Sequence, residues 1–125
     1  MDKFRVLIVE DEAIVSMALR RKLEAMGYTV PAEISCGEDV VDAVSCLRPD
    51  VVLMDIRLSG EMDGIDAAIE IQRLFKLPVV YISSYSDEDT LERAKTTEPY
   101  GYLTKPFSDG ALRATVDTAI QLAKV

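Results

Sequence analysis

The chain has 125 residues, 49% of them hydrophobic and 29% charged, which is the length and balance of one globular domain with a hydrophobic core. It contains no histidine, so it cannot by itself form a Ser-His-Asp triad or an HExxH zinc site. The formal net charge of -8 disfavours direct binding to nucleic acid, whose phosphates attract lysine and arginine.

The first residues lack the apolar stretch of a signal peptide, and no run of about 18 apolar residues follows. We therefore expect a cytoplasmic protein without a membrane span, with residues 1–125 forming a single domain. Its two cysteines are expected to be reduced thiols, with Cys46 packed like a small apolar residue.

Five short apolar runs alternate with longer segments along the chain. In order, they cover residues 4–9, 29–34, 51–54, 79–82 and 100–103. Valine and isoleucine dominate them, as is typical of strands that are buried on both faces of a parallel sheet.

Longer segments with helical periodicity follow each run. In order, the predicted helices open at Asp11 or Glu12, at Glu38, and after the candidate N-caps Asp63, Ser86 and Ser108. Gly27 is placed to end the first helix, and the second ends before Pro49. Five such strand–helix pairs predict an α/β fold, with a doubly wound parallel sheet and helices on both faces.

In a sheet of this kind, sites form beyond the carboxyl ends of the strands. The residues at those ends are Glu10 and Asp11 after the first strand, Asp55 after the third, Ser83 and Ser84 after the fourth, and Lys105 after the fifth. We therefore expect three carboxylates, a hydroxyl and an ammonium group to meet on one rim of the sheet.

Clustered carboxylates raise one another's pKa, and a divalent cation relieves their repulsion. Mg²⁺ prefers oxygen ligands and commonly combines one or two carboxylates with waters and a phosphate oxygen. Lys105 would add a fixed positive charge. Such an assembly can accept a phosphoryl group beside a carboxylate nucleophile.

Each of these residues also has a plainer explanation. Asp11 could cap the first helix, Asp55 could be a turn residue, and Lys105 could be a solvated lysine. Ser83 and Ser84 could be loop hydroxyls, and Asp63 is read only as a cap. A functional site is favoured because four separate strand ends carry the residue types that the chemistry requires.

The sequence resembles the receiver domains of two-component response regulators. In order, the resemblance is carried by Val9-Glu10-Asp11-Glu12, Val52-Leu53-Met54-Asp55-Ile56-Arg57-Leu58, Met62-Asp63-Gly64, residues 78–84 and Gly101-Tyr102-Leu103-Thr104-Lys105-Pro106-Phe107. It covers essentially the whole chain. It implies a flavodoxin-like fold with five helices and the strand order 2-1-3-4-5.

The resemblance also implies which residues bind the cation and the phosphoryl group. Asp55 would be the phosphoacceptor. Asp11 would ligate Mg²⁺ or Mn²⁺ directly, Glu10 would do so directly or through water, and the backbone carbonyl of Arg57 would be a further ligand. Lys105 would pair with the phosphorylated aspartate.

Ser83 and Tyr102 would form the switch: the hydroxyl follows the phosphoryl group, and the aromatic ring swings inward. The donor would be a histidine kinase or a phosphotransfer protein. The face of the fourth helix, fifth strand and fifth helix would then change its preference for a downstream effector. The domain would be no enzyme beyond its own phosphorylation and dephosphorylation, and homodimerisation through this face stays open.

Two positions depart from the family pattern. Leu58-Ser59-Gly60-Glu61 replaces the usual Met-Pro pair and adds one residue before Met62, and Ser84 stands where alanine is usual. We expect the first change to alter the shape of the loop without abolishing the site.

Two other classes of protein fit the sequence less well. A Mg²⁺-dependent aspartyl phosphatase would carry Asp-x-Asp after its first strand, whereas Asp55 follows the third and position 57 is arginine. A flavodoxin-like mononucleotide-binding protein would need hydroxyls and glycines after its first strand, where Glu10-Asp11-Glu12 would repel a phosphate.

Overall fold

Strands and helices alternate throughout the chain in a computed structural model that describes residues 4–58, 60–84 and 88–123, without the side chains of residues 88 and 89. The strands are β1 Val6–Val9, β2 Glu33–Ile34, β3 Val51–Asp55, β4 Val79–Ser83 and β5 Gly101–Thr104. The helices are α1 Ala13–Ala25, α2 Val40–Leu47, α3 Gly64–Phe75, α4 Glu88–Lys95 and α5 Asp109–Ala123. A short 3-10 turn, Gly37–Asp39, leads into α2.

The strands form one parallel sheet in the order β2-β1-β3-β4-β5, which confirms the predicted fold and strand order. Val9 of β1 pairs with Met54 of β3, and Asp55 pairs with Ile82 of β4. Because every strand runs in the same direction, all carboxyl ends lie at one edge. The strand order reverses between β1 and β3, which puts the expected site at that edge.

Two cores flank the sheet. On one face, α1 and α5 contribute buried residues such as Leu23 and Leu112, and on the other α2, α3 and α4 contribute Val44, Ile71 and Ala94. The helices therefore cover both faces, as predicted for a doubly wound fold. Among the helices in the described ranges, none is long and apolar enough to cross a membrane.

The second strand is shorter than the predicted run of residues 29–34. Only Glu33 and Ile34 pair regularly with β1, while Thr29 forms an isolated bridge to Arg5. Pro31 lies between these contacts and has no N–H to donate to the ladder, so the strand is interrupted at the sheet edge.

Cys46 is exposed, and the prediction that it packs in the core was wrong. The core-facing side of α2 carries Val40 and Val44, four residues apart. Cys46 follows Val44 by two residues, which places it on the other side of a helix with 3.6 residues per turn.

Two of the predicted helix caps are confirmed. Asp63 forms a capping box with Asp66: Asp63 Oδ1 accepts from the Asp66 N–H at 2.9 Å, and Asp66 Oδ2 accepts from the Asp63 N–H at 3.3 Å. Ser108 Oγ accepts from the Ala111 N–H at 3.0 Å at the start of α5. The predicted cap Ser86 lies outside the described residues. Glu12, and not Asp11, occupies the N-cap position of α1.

Candidate functional site

A cleft of about 360 Å³ opens at the carboxyl edge of the sheet. Its lining comes from four strand ends and comprises Asp11, Glu12, Asp55, Arg57, Ser83, Ser84 and Lys105. Glu10 lies beside it, with its carboxylate bound to Lys105. The fold thus brings together every site residue that was predicted from the sequence except Tyr102.

Asp55 is the last residue of β3 and is 7% exposed. Its Oδ1 accepts a hydrogen bond from the Arg57 N–H at 2.9 Å, and its Oδ2 lies 3.4 Å from Lys105 Nζ. The start of α3 packs directly on this strand end: a Cβ at Gly64 would lie 2.0 Å from the Asp55 carbonyl oxygen. The backbone of Asp55 is therefore held against the start of α3, while its carboxylate is held by the Arg57 N–H and lines the cleft.

Glu10, Asp11 and Asp55 form an acidic cluster in which one oxygen of each carboxylate lies within 4.8 Å of the others. The Glu10 carboxylate is held by Lys105 Nζ at 3.0 Å and by the Glu12 N–H at 3.2 Å. A set of carboxylate oxygens at this spacing suits a hard divalent cation such as Mg²⁺ or Mn²⁺. The acidic residues therefore fit the Mg²⁺ or Mn²⁺ that the resemblance implied.

Burial raises the pKa of Asp55 to about 6. The negative charge of Glu10 adds to this shift, while the hydrogen bond from the Arg57 N–H and the charge of Lys105 oppose it. Burial favours the neutral form of Lys105, but its contacts with Glu10 and Asp55 outweigh that effect and raise its pKa. Lys105 thus contacts two of the three clustered carboxylates, those of Glu10 and Asp55, and a cation would relieve the repulsion within the cluster.

Ser83 ends β4 at the floor of the cleft and is 2% exposed. Its backbone carbonyl accepts from the Lys105 N–H at 2.7 Å, which joins the ends of β4 and β5. Its Oγ has no hydrogen-bond partner within the described parts of the chain. A buried hydroxyl without a partner costs about 1–3 kcal/mol, and an acceptor that enters the cleft would supply the missing bond.

Tyr102 lies on β5, outside the cleft lining, and is 38% exposed. Its ring centroid is 6.0 Å from that of Tyr81, the neighbouring residue on β4. The Tyr81 hydroxyl in turn contacts Thr97 Oγ1, just after α4, at 2.8 Å. Tyr102 thus occupies an outward position, and its inward swing stays a prediction.

Sequence reasoning missed a contact next to the site. Arg93 of α4 forms ion pairs with Asp63 at 2.9 Å and with Asp66 at 2.7 Å, so Asp63 is more than a helix cap. Arg93 lies 30 residues from Asp63 along the chain and carries no local signal of this pairing. At the other end of the contact, Asp63 was predicted only as a helix cap.

A doubly wound sheet of this strand order, with an acidic cleft at the switch point, has the architecture of a signalling receiver domain. The chain belongs to that family, because the family model with the description "Response regulator receiver domain" matches residues 6–117. It is therefore a receiver domain of the response regulators of two-component signalling.

Individual relatives agree with this assignment. The chain is 38% identical over 116 residues to the transcriptional regulatory protein PdtaR of Mycobacterium tuberculosis, covering 93% of this chain and 56% of the relative. It is 37% identical over 114 residues to the DNA-binding transcriptional regulator NtrC of Klebsiella pneumoniae, covering 90% of this chain and 24% of the relative. The chain thus spans about half of the first relative and a quarter of the second.

A solved structure with the same fold is the signal receiver domain of a modulated diguanylate cyclase from Desulfovibrio desulfuricans G20. It superposes with a TM-score of 0.92 at 39% sequence identity and covers 98% of both chains. The similarity therefore extends over the whole architecture.

Proposed function

We propose that this domain is a cytoplasmic phosphorelay switch that accepts a phosphoryl group on Asp55 from a histidine kinase or phosphotransfer protein. The observation that carries the proposal is the buried Asp55 carboxylate, which lies 3.4 Å from Lys105 Nζ and within 4.8 Å of two further carboxylates in one open cleft. Membership of the receiver family supports the same function.

In the transfer step, an oxygen of the Asp55 carboxylate forms a bond to phosphorus while the phosphorus–nitrogen bond of the donor's phosphohistidine breaks. The bonding electron pair stays on the imidazole nitrogen, and the product is an aspartyl phosphate. The N–H of Arg57 orients the carboxylate for this reaction. Water later releases the group as inorganic phosphate, so the domain acts as a transient carrier and not as a general phosphatase.

Glu10, Asp11, Asp55 and the backbone carbonyl of Arg57 would hold the cation. When bound, Mg²⁺ or Mn²⁺ neutralises the charge on the carboxylates and on the phosphoryl oxygens. Lys105 keeps a positive charge beside Asp55, because its pKa is raised despite burial. That ammonium group can move from the carboxylate to the new phosphoryl oxygens.

The signal would be read through Ser83 and Tyr102. The Ser83 hydroxyl, which has no partner among the described residues, would donate to a phosphoryl oxygen, and Tyr102 would turn inward from its exposed position. The face of α4, β5 and α5 would then change its preference for an effector protein or domain. Such a change is a shift between two states that the phosphoryl group binds unequally.

The test is to incubate the protein with acetyl phosphate, with and without Mg²⁺, and to measure intact mass. We expect a Mg²⁺-dependent gain of one phosphoryl group that is lost in Asp55→Asn. It should persist in Asp42→Asn, which changes an exposed aspartate of α2. If the protein gains no mass under conditions that phosphorylate another receiver domain, the proposal is refuted. If Asp55→Asn gains as much mass as the wild type, the acceptor is a different residue.

A further inference from the structure

Helix α4 is attached to the rest of the domain largely by polar contacts. Only Ala94 of the helix is buried among the residues whose side chains are described, and Leu91 is half-buried. In contrast, the guanidinium group of Arg93 makes three hydrogen bonds to α3. Nη1 donates to Asp63 Oδ2 at 2.9 Å, and Nη2 donates to Asp63 Oδ1 at 3.2 Å and to Asp66 Oδ1 at 2.7 Å.

The two acceptors of Arg93 form the capping box of α3, and the next residue after Asp63 is Gly64. Gly64 is in backbone contact with Asp55, since an added Cβ would meet the Asp55 carbonyl at 2.0 Å. Arg93 therefore ties α4 to the helix end that rests on the phosphoacceptor strand.

The segment that directly follows the C-terminal end of α4 is tied to β4. Thr97 Oγ1 contacts the Tyr81 hydroxyl at 2.8 Å and donates to the Ala94 carbonyl at 2.7 Å. Ser83 ends the same strand, and the chain runs from it into α4. A movement of Ser83 towards a phosphoryl group would thus act on the end of α4 through Tyr81 and Thr97, while Arg93 holds the helix against α3.

We propose that Arg93, Asp63 and Asp66 form a latch that holds α4 in the arrangement of the unphosphorylated domain and opens when the phosphoryl site is filled. Arg93 is then a positioning residue of the switch, and the inference rests on the proposed function. By thermodynamic linkage, a contact made only in the empty state lowers the affinity of the site for its ligand. Removing the latch must therefore raise that affinity.

The test is the dissociation constant of beryllofluoride, a phosphoryl mimic, in the presence of Mg²⁺, followed by amide shifts in NMR spectra. We expect Arg93→Gln to bind it roughly two- to fivefold more tightly than the wild type, the range that a partly exposed ion-pair network provides. Arg73→Gln is the matched control, because Arg73 forms its ion pair with Glu70 of its own helix, α3, at 2.7 Å. This control should leave the affinity unchanged.

A second variant separates the latch from a general loosening of the domain. Asp66→Asn weakens the pair with Arg93 but keeps an oxygen that can accept from the Asp63 N–H. We expect it to tighten binding too, and Arg93→Gln to add less in this background than in the wild type. Unchanged or weaker binding by Arg93→Gln, beside a wild type that binds, would overturn the latch alone. A wild type that binds no beryllofluoride would overturn the proposed function and the latch with it.

Discussion

At the scale of single residues, the Asp55 carboxylate carries an energetic penalty. Burial raises its pKa to about 6, well above the ordinary value of about 3.9 for aspartate. Between these two pH values, the folded state binds more protons than the unfolded state. The contribution of Asp55 to stability therefore falls as the pH rises from about 4 to about 6.

We expect Asp55→Asn to raise the free energy of unfolding by about 1–3 kcal/mol at pH 7 in the absence of divalent cations. Asparagine removes the buried charge and keeps an oxygen that can accept from the Arg57 N–H. Urea denaturation at pH 7 and at pH 4 measures the effect, which should nearly vanish at pH 4. An equal gain in the free energy of unfolding at both pH values would contradict the electrostatic origin. The control Asp42→Asn, at an exposed position, should show no gain.

At Ser83, we expect one substitution to have different effects on stability and on ligand affinity. Ser83→Ala removes a buried hydroxyl that has no partner in the described structure, so we expect the free energy of unfolding to stay constant or rise by up to about 1 kcal/mol. The affinity for beryllofluoride should nevertheless fall several-fold, because one donor to the phosphoryl oxygens is lost.

The matched control is Ser16→Ala. Ser16 is also buried, but its Oγ donates to Glu33 Oε1 at 2.6 Å. This variant should lose about 0.5–1.5 kcal/mol of stability and keep its affinity for the mimic. If Ser83→Ala were as destabilising as Ser16→Ala, the hydroxyl of Ser83 would have a partner in solution.

At the scale of secondary-structure elements, the contact between α3 and β3 positions Asp55, the proposed acceptor. We expect Gly64→Ala to destabilise the domain by roughly 1–3 kcal/mol or more, because the new Cβ would overlap the Asp55 carbonyl at 2.0 Å. The rate of phosphorylation by acetyl phosphate should fall as well, since the strand end must shift. Thermal or urea unfolding and intact mass measure the two effects.

Gly110 in the first turn of α5 provides the comparison. The nearest atom to a Cβ at this position is Ser108 Oγ, at 3.9 Å. Gly110→Ala should therefore leave the structure intact and stabilise the domain by about 0.4–1 kcal/mol, because the unfolded chain loses conformational freedom. Equal losses of stability in Gly64→Ala and Gly110→Ala would show that the close approach of Gly64 to Asp55 is not the cause of the loss.

The same elements show why the sequence was informative in some places and not in others. β1, β3 and β4 are fully buried, so their apolar runs were sufficient to find them. β2 lies at the edge and is broken at Pro31, so its apolar run overstated its length. Edge strands depend on pairing geometry, which a local pattern does not encode.

The site followed from one topological rule. Glu10 and Lys105 are 95 residues apart, yet the parallel arrangement of the strands brings their side chains to 3.0 Å. The contact of Arg93 with Asp63 follows from no such rule, because it depends on how α4 and α3 pack. That Ser83 Oγ has no partner in the described ranges of the chain was likewise visible only in three dimensions.

At the scale of the whole molecule, the acidic cluster in a protein with a net charge of -8 predicts that a divalent cation stabilises the fold. A cation that binds only the folded state adds RT ln(1 + [L]/Kd) to the free energy of unfolding, about 2.7 kcal/mol at a hundredfold excess over Kd. We expect the melting temperature to rise with the logarithm of the Mg²⁺ concentration. Calorimetry at constant ionic strength measures this rise.

Screening of surface charge also stabilises an acidic protein, and constant ionic strength separates it from specific binding. Asp11→Asn removes a carboxylate from the cluster and should abolish most of the Mg²⁺-dependent rise, whereas Asp42→Asn should keep it in full. An equal rise in both variants would show that Mg²⁺ acts through diffuse charge. If only Asp11→Asn loses the Mg²⁺-dependent rise in melting temperature, Mg²⁺ acts by binding the cluster. The carboxylates that repel one another without a cation then stabilise the domain when a cation binds them.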